Sequence, residues 1–125
     1  MTHEQAERFA DQWAGWWNAG EVEKVLACFG DDTVFTSPTA ADVVGTATLR
    51  GKDALRAYWT TALKRIGAVH FTVDHVLWDP VRNELAIIYT ARMAGRVRRV
   101  SENLRFDDHD MIVAAEVFHG VAGAA

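Results

Sequence analysis

The stretch of sequence that decides the fold runs from residue 29 to residue 59. Its first part, Phe29-Gly-Asp-Asp-Thr-Val-Phe-Thr-Ser-Pro38, predicts a helix end and then a short β-strand that stops at the proline. Its last part, Leu49-Arg-Gly-Lys-Asp-Ala-Leu-Arg-Ala-Tyr-Trp59, predicts the start of an amphipathic helix. Side chains alternate along a strand, so Phe35 and Ser37 share one face. Residues 39–48 show no clear period, and we expect a lid or binding loop there.

Three helices are predicted in the first half of the chain. Residues 3–19 repeat apolar side chains with helical spacing, Thr2 can cap the start, and Gly20 can end the helix. A shorter helix is expected over residues 21–29. The third begins near Gly51, continues through the apolar stripe that contains Tyr58 and Trp59, and ends at Gly67.

After Gly67 the hydrophobic period changes from 3.6 to 2, which predicts strands. They are expected over residues 68–78, 84–93, 97–106 and 111–118, separated by turns. The pattern indicates an α+β fold, with three N-terminal helices on a curved, mainly antiparallel sheet. We expect a single domain over residues 1–120 and a flexible tail over residues 121–125.

Composition restricts the function. The net charge of −4 and the isoelectric point near 5.7 argue against nucleic acid or an anionic membrane as partner. No apolar run reaches membrane-spanning length, and residues 1–5 lack the basic and apolar regions of a signal peptide, so a cytoplasmic location is expected. The lone Cys28 excludes an internal disulfide, and no spacing predicts a metal site. We expect neither metal nor cofactor.

The basic cluster of Arg96, Arg98 and Arg99 departs locally from the acidic balance of the chain. We interpret it as the solvated end of a strand, with an anion site as the alternative.

The chain resembles the nuclear-transport-factor-2-like superfamily, within it the SnoaL-like and ketosteroid-isomerase-like branch. The resemblance covers nearly the whole chain. The segments that carry it are Trp17-Asn-Ala-Gly20, Val25-Leu-Ala-Cys-Phe-Gly-Asp-Asp-Thr-Val34, Ser37-Pro38, residues 49–59 and Glu102-Asn-Leu-Arg-Phe106. It implies a cone-shaped fold with a pocket between helices and sheet, and a homodimer formed through the outer sheet face.

The resemblance to ketosteroid isomerase breaks down at two of three catalytic positions. That enzyme uses a carboxylate base, a tyrosine and a protonated carboxylic acid. The base position before the proline is Ser37, the tyrosine of the first helix corresponds to Trp13, and only the acid survives, as Glu102. A serine without an activator cannot take a proton from carbon. The standard steroid isomerase reaction is therefore not expected.

Glu102 is the candidate catalytic residue with the clearest physical basis. Its strand face otherwise consists of Val100, Leu104 and Phe106, so the carboxyl group should be buried and its pKa raised. The alternative is a structural hydrogen-bond partner for Trp13 or Tyr58. Glu116 repeats the pattern with Ile112, Ala114 and Phe118, and would form an acid–base pair with Glu102 if the register holds.

The remaining candidates would line an apolar pocket for a small hydrophobic, ring-bearing molecule. They are Trp13, Trp17, Phe35, Ser37, Tyr58, Trp59, His75, Tyr89, Leu104 and Phe118. His75 falls on an apolar face, and a satisfied core or interface residue is its alternative. Three functions stay open: a cofactor-independent isomerase, cyclase or lyase; a non-catalytic ligand-binding module; and a dimerisation domain.

Overall fold

The computed structural model describes residues 1–122, with side chains through residue 121. The helices are α1 (His3–Asn18), α2 (Val22–Leu26), α3 (Pro38–Val44) and α4 (Lys52–Ile66). The strands are β1 (Phe29–Thr36), β2 (Thr48–Arg50), β3 (Val69–Asp79), β4 (Glu84–Met93), β5 (Arg96–Phe106) and β6 (Ile112–Ala122). The α+β class predicted from the sequence is confirmed.

The six strands form one curved, unclosed sheet in the order β2-β1-β6-β5-β4-β3. Every neighbouring pair is antiparallel except β1 and β6, which run parallel. Helix α1 packs on β3, and α4 packs on β1 and β2. The inner sheet face and the helices therefore enclose the core, and they also enclose the space in which a site can form.

Helix α1 begins with a capping box, in which Thr2 accepts from the backbone N–H of Gln5 and Gln5 accepts from that of Thr2. Its buried side includes Trp13 and Trp17, whose rings contact aromatic residues of the sheet and of α4. The helix anchors the open end of the sheet through this aromatic packing.

Helix α3 replaces part of the loop that the sequence predicted over residues 39–48. The side chain of Ser37 caps it by accepting from the N–H of Thr39 at 3.2 Å, and Pro38 occupies the first turn. Gly45 ends it in the left-handed conformation, with φ of 82°. The prediction of an irregular loop was wrong because a seven-residue helix is too short to show a period.

Two irregularities in strand pairing overturn three predicted orientations. The β3–β4 register shifts between Val73 and His75, so His75 points to the outer face and is exposed. The β5–β6 register shifts between Arg105 and Phe106, so Glu116 and Phe118 also face outward. A bulge inverts the alternation of every residue beyond it. The predicted inward placement of these three side chains is therefore wrong.

The tail prediction is also wrong in part, because β6 continues through Ala122. The rest of the predicted tail lies outside the described residues. None of the described helices combines the length and the apolar content needed to cross a bilayer.

Candidate functional site

A cavity of about 80 Å³ lies between α1, α4 and the inner face of the sheet. Its wall is mostly apolar, and six of its lining side chains are aromatic: Trp17, Phe35, Tyr58, Trp59, Phe71 and Tyr89. The polar lining residues are Ser37, Thr39, Glu102 and His119, besides the tyrosine hydroxyls. Apolar walls with a few polar groups are typical of small-molecule sites.

Glu102 is the one carboxylic acid in this lining, and it lies where its strand alternation predicts. It is 6% exposed. Its Oε1 accepts a hydrogen bond of 2.9 Å from the hydroxyl of Tyr89. Oε2 accepts no hydrogen bond from the described side chains. It is not fully buried, because it keeps some accessible surface. One oxygen is therefore fixed by Tyr89, whereas the other has no hydrogen-bond partner among the described residues.

Burial raises the pKa of Glu102 to about 7, and the hydrogen bond from Tyr89 opposes that rise only in part. Burial and the nearby Glu102 carboxylate also raise the pKa of Tyr89 well above its ordinary value. Tyr89 therefore stays a neutral donor, whereas Glu102 exchanges its proton near neutral pH. A carboxyl group with this pKa can serve as either acid or base.

Tyr58 carries a second hydroxyl into the cavity, beside Ser37 and Thr39. Burial raises the pKa of Tyr58 to about 12, and the hydroxyls of Ser37 and Thr39 partly offset this effect. This group of three hydroxyls can donate hydrogen bonds to a ligand oxygen. Ser37 keeps its predicted place beside Phe35, but its side chain also caps α3.

Trp13 and Leu104, both predicted to contact substrate, are buried without lining the cavity. The Trp13 ring packs behind the wall, 5.1 Å from the ring of Tyr89 and 5.5 Å from that of Phe71 between centroids. Its contribution is to support Tyr89. The hydrogen-bond partner of Glu102 is thus Tyr89, and neither Trp13 nor Tyr58, the two partners considered from the sequence.

His119 lines the cavity although it was not among the site residues predicted from the sequence. The pairing shift on β6 places it opposite Val100 on the inner face. Burial and the charge of Arg98 lower the pKa of His119, and Asp42 opposes them. The predicted inward placement of Glu116 would have put His119 on the outer face. In the structure Glu116 faces outward, and the same alternation brings His119 inward.

The predicted residues divide into three groups. Those that the structure brings to the cavity are Trp17, Phe35, Ser37, Tyr58, Trp59, Tyr89 and Glu102. Trp13 and Leu104 belong to the core behind it, and His75, Glu116 and Phe118 lie on the outer face. Within residues 1–122, no three His, Cys, Asp or Glu side chains gather in a geometry that could hold a metal ion.

The model of the SnoaL-like domain family matches residues 6–119, and the chain belongs to this family. Among solved structures, a SnoaL-like protein of unknown function from Burkholderia thailandensis is 29% identical, with a TM-score of 0.84 over 96% of this chain and 98% of that one. No curated protein sequence matches the chain.

Two more distant structures share the fold. The epoxide hydrolase/cyclase-like enzyme SalBIII, described in pyran ring formation of the polyether salinomycin, is 16% identical, with a TM-score of 0.76 over 94% of this chain and 92% of its own. A protein from Kribbella flavida provisionally described as a ketosteroid isomerase is 17% identical, with a TM-score of 0.73 over 98% of this chain and 83% of its own. The predicted superfamily is confirmed.

Proposed function

We propose that this chain is a cofactor-independent enzyme of the isomerase or cyclase type that moves a proton on a small apolar, ring-bearing molecule. The observation that carries the proposal is Glu102 in the wall of an aromatic cavity, with Oε1 held by Tyr89 and Oε2 without a partner among the described residues. The fold relationship to SalBIII and to the Kribbella flavida protein is consistent with this class of chemistry.

In the proposed reaction, Oε2 of ionised Glu102 removes a proton from a carbon next to a carbonyl group. The C–H bond breaks, an O–H bond forms on Glu102, and the electron pair moves to the carbonyl oxygen, giving an enolate. The Tyr58 hydroxyl, with Ser37 beside it, donates to that oxygen. Glu102 then returns the proton to another carbon, which completes an isomerisation with no cofactor.

The size of the cavity limits the ligand. At about 80 Å³ it is smaller than the engineered cavity of roughly 150 Å³ that admits benzene. A ring can enter only if side chains at the edge move aside. Leu63, Ile66 and Met93 are half-buried lining residues with flexible side chains, and we assign this movement to them. A single ring fits this requirement better than a fused steroid skeleton.

The test uses cyclohex-3-en-1-one, a single-ring ketone whose isomerisation to the conjugated enone is followed by ultraviolet absorbance. We expect Glu102→Gln to lower the rate by about 100-fold or more, since positioned acid–base groups contribute at this level. The matched control is Glu116→Gln, which changes an exposed carboxylate on the outer face and should leave the rate unchanged. Equal rates for wild type and Glu102→Gln would contradict the proposal, as would a wild-type rate no higher than that of buffer.

A second candidate function is a non-catalytic module that holds an apolar ligand in the same cavity. Ser37 and Trp13 occupy the positions of the isomerase base and tyrosine, and this departure favours it. Native mass spectrometry of freshly purified protein tests the alternative. A retained small molecule that is not converted over many equivalents would support binding without catalysis.

A further inference from the structure

The inner face of strand β5 carries an acidic side chain at one point and basic side chains farther along. The β4–β5 pairing is regular from Glu84↔Arg105 to Met93↔Arg96, so alternation holds along this whole length. Glu102 shares its face with Val100 and, farther toward the β4–β5 turn, with Arg98 and Arg96. One strand face thus runs from a carboxylic acid at the cavity to two guanidinium groups at the end of the sheet.

Arg98 lies two residues along the inner face of β5 from Val100, which lines the cavity. It pairs across the strands with Ala91, which is buried on the inner face, and it is itself half-buried. Its charge acts on His119, which lines the cavity, more strongly than the opposing charge of Asp42 does. Arg98 therefore carries a positive charge beside the lining, two residues along β5 from Val100 and near enough to act on His119.

Arg98 and Arg96 form no salt bridge or side-chain hydrogen bond within the described part of the chain. Their neighbour Arg99 behaves differently. It projects from the opposite face, bonds Asp74 at 3.2 Å and contacts the hydroxyl of Thr90 at 3.3 Å. The basic cluster in the sequence is therefore divided between two faces, and its inner members have no charged partner among the described residues.

We propose that the ligand of this cavity is amphipathic, with an apolar ring held near Glu102 and an anionic group, such as a carboxylate, sulfate or phosphate, held by Arg98 and Arg96. The inference rests on the proposed function in taking Glu102 as the group that meets the ring. Arg98 lies four positions before Glu102 on β5, which is about 13 Å between Cα atoms. The ring and the anionic group of the ligand are separated by a comparable span.

Charge fixes the orientation of such a ligand. Within the part of the chain that the structure describes, no Lys or Arg lines the cavity, and a negative group inside it would face the carboxylate of Glu102. The anion therefore stays at the edge, where the guanidinium groups bind it and retain partial hydration. The apolar part is left to enter among the aromatic rings.

Isothermal titration calorimetry with 6-phenylhexanoate and its neutral primary amide tests the inference. We expect the carboxylate to bind wild type about tenfold more tightly than the amide, with an advantage that shrinks as ionic strength rises. Arg98→Gln should abolish this preference and leave amide binding unchanged, which also verifies that the variant is folded. The matched control is Arg105→Gln, which removes the same charge from the outer face of β5 and should keep the preference.

Equal affinity of wild type for the two probes would overturn the inference, and so would a preference that survives Arg98→Gln. Failure of both probes to bind would overturn it as well. The proposed function is judged separately, by the turnover of Glu102→Gln on a neutral ketone that has no anionic group. A ketone that is turned over without any carboxylate preference would leave the enzyme proposal intact and remove only the anion site.

Discussion

The hydroxyl of Tyr89 donates to Oε1 of Glu102 at 2.9 Å, joining two ionisable groups of neighbouring strands in one buried site. Desolvation drives the pKa of both groups upward, and their contact moves the two values in opposite directions. The phenol keeps its proton, whereas the carboxyl group loses its proton near neutrality. The proposed proton transfer depends on this pair of side chains.

Removing the phenol hydroxyl should raise the pKa of Glu102 further. Tyr89→Phe deletes the hydrogen bond that lowers this pKa and leaves Oε1 unpaired, which costs about 1–3 kcal/mol of stability when the carboxylate is charged. The midpoint of the pH–rate profile should therefore move above 7. The control is Tyr58→Phe, which changes a hydroxyl in the same cavity and leaves the Tyr89 hydrogen bond in place. It should move the midpoint of the pH–rate profile little. A midpoint that falls in Tyr89→Phe would contradict the assignment.

The contribution of Glu102 to the stability of the fold should decrease as pH rises from about 4.5 to beyond 7. The pKa of Glu102 is 4.5 when unfolded and about 7 when folded, so the native state binds more protons between these values. The stabilisation is complete below pH 4.5, and about 3 kcal/mol is lost once pH exceeds the folded pKa. Urea unfolding at several pH values across this range measures the change in the free energy of unfolding. Glu102→Gln should lack this component, and a parallel pH dependence in both proteins would show that Glu102 is not buried as described.

Thr33→Val should stabilise the protein by about 1 kcal/mol. Thr33 is buried on β1, and its Oγ1 has no hydrogen-bond partner among the described residues. Valine has nearly the same shape without the unsatisfied hydroxyl. The control is Thr36→Val on the same strand, where the hydroxyl contacts that of Thr48 at 3.2 Å and its loss should bring no gain. The denaturant midpoints of the two variants are compared with that of the wild type. Destabilisation by Thr33→Val would reveal a hydrogen-bond partner for Oγ1.

The homodimer expected from the family resemblance remains a prediction, and we assign it to the outer sheet face. Leu77 and Phe118 are 59% and 52% exposed there, and the face carries both Arg105 and Glu116, charges that two symmetric copies can pair. We expect a dimer in sedimentation at micromolar concentration. Phe118→Lys should shift it toward monomer, whereas Val81→Lys in the β3–β4 turn should not. A strictly monomeric wild type would contradict this prediction.

The sequence predicted the positions of the long helices and most strands well, because their periodicity extends over many residues. It also placed Glu102 correctly, since β5 pairs with β4 without interruption. For His75, Glu116 and Phe118 the same reasoning failed. The pairing shifts on β3 and β6 depend on how the strands fit around the helices, and no glycine or proline marks either position.

Helix α3 and His119 were missed for different reasons. The cap at Ser37, the proline that follows it and Gly45 together are a recognisable helix signal, but the segment is too short to show periodicity. His119 reaches the cavity only through the β6 irregularity. The hydrogen bond from Tyr89 to Glu102 could not be predicted either, because it depends on the relative positions of two side chains across the sheet.

A titration of the Glu102 carboxyl carbon by ¹³C NMR, with Glu102→Gln used to assign its resonance, tests directly whether this group can transfer a proton near neutral pH. We expect a midpoint of about 7, because the group is buried in the aromatic wall and only partly stabilised by Tyr89. A midpoint near 4.5, the value of an exposed glutamate, would show that Glu102 is solvated and would remove the basis for proton transfer in this cavity.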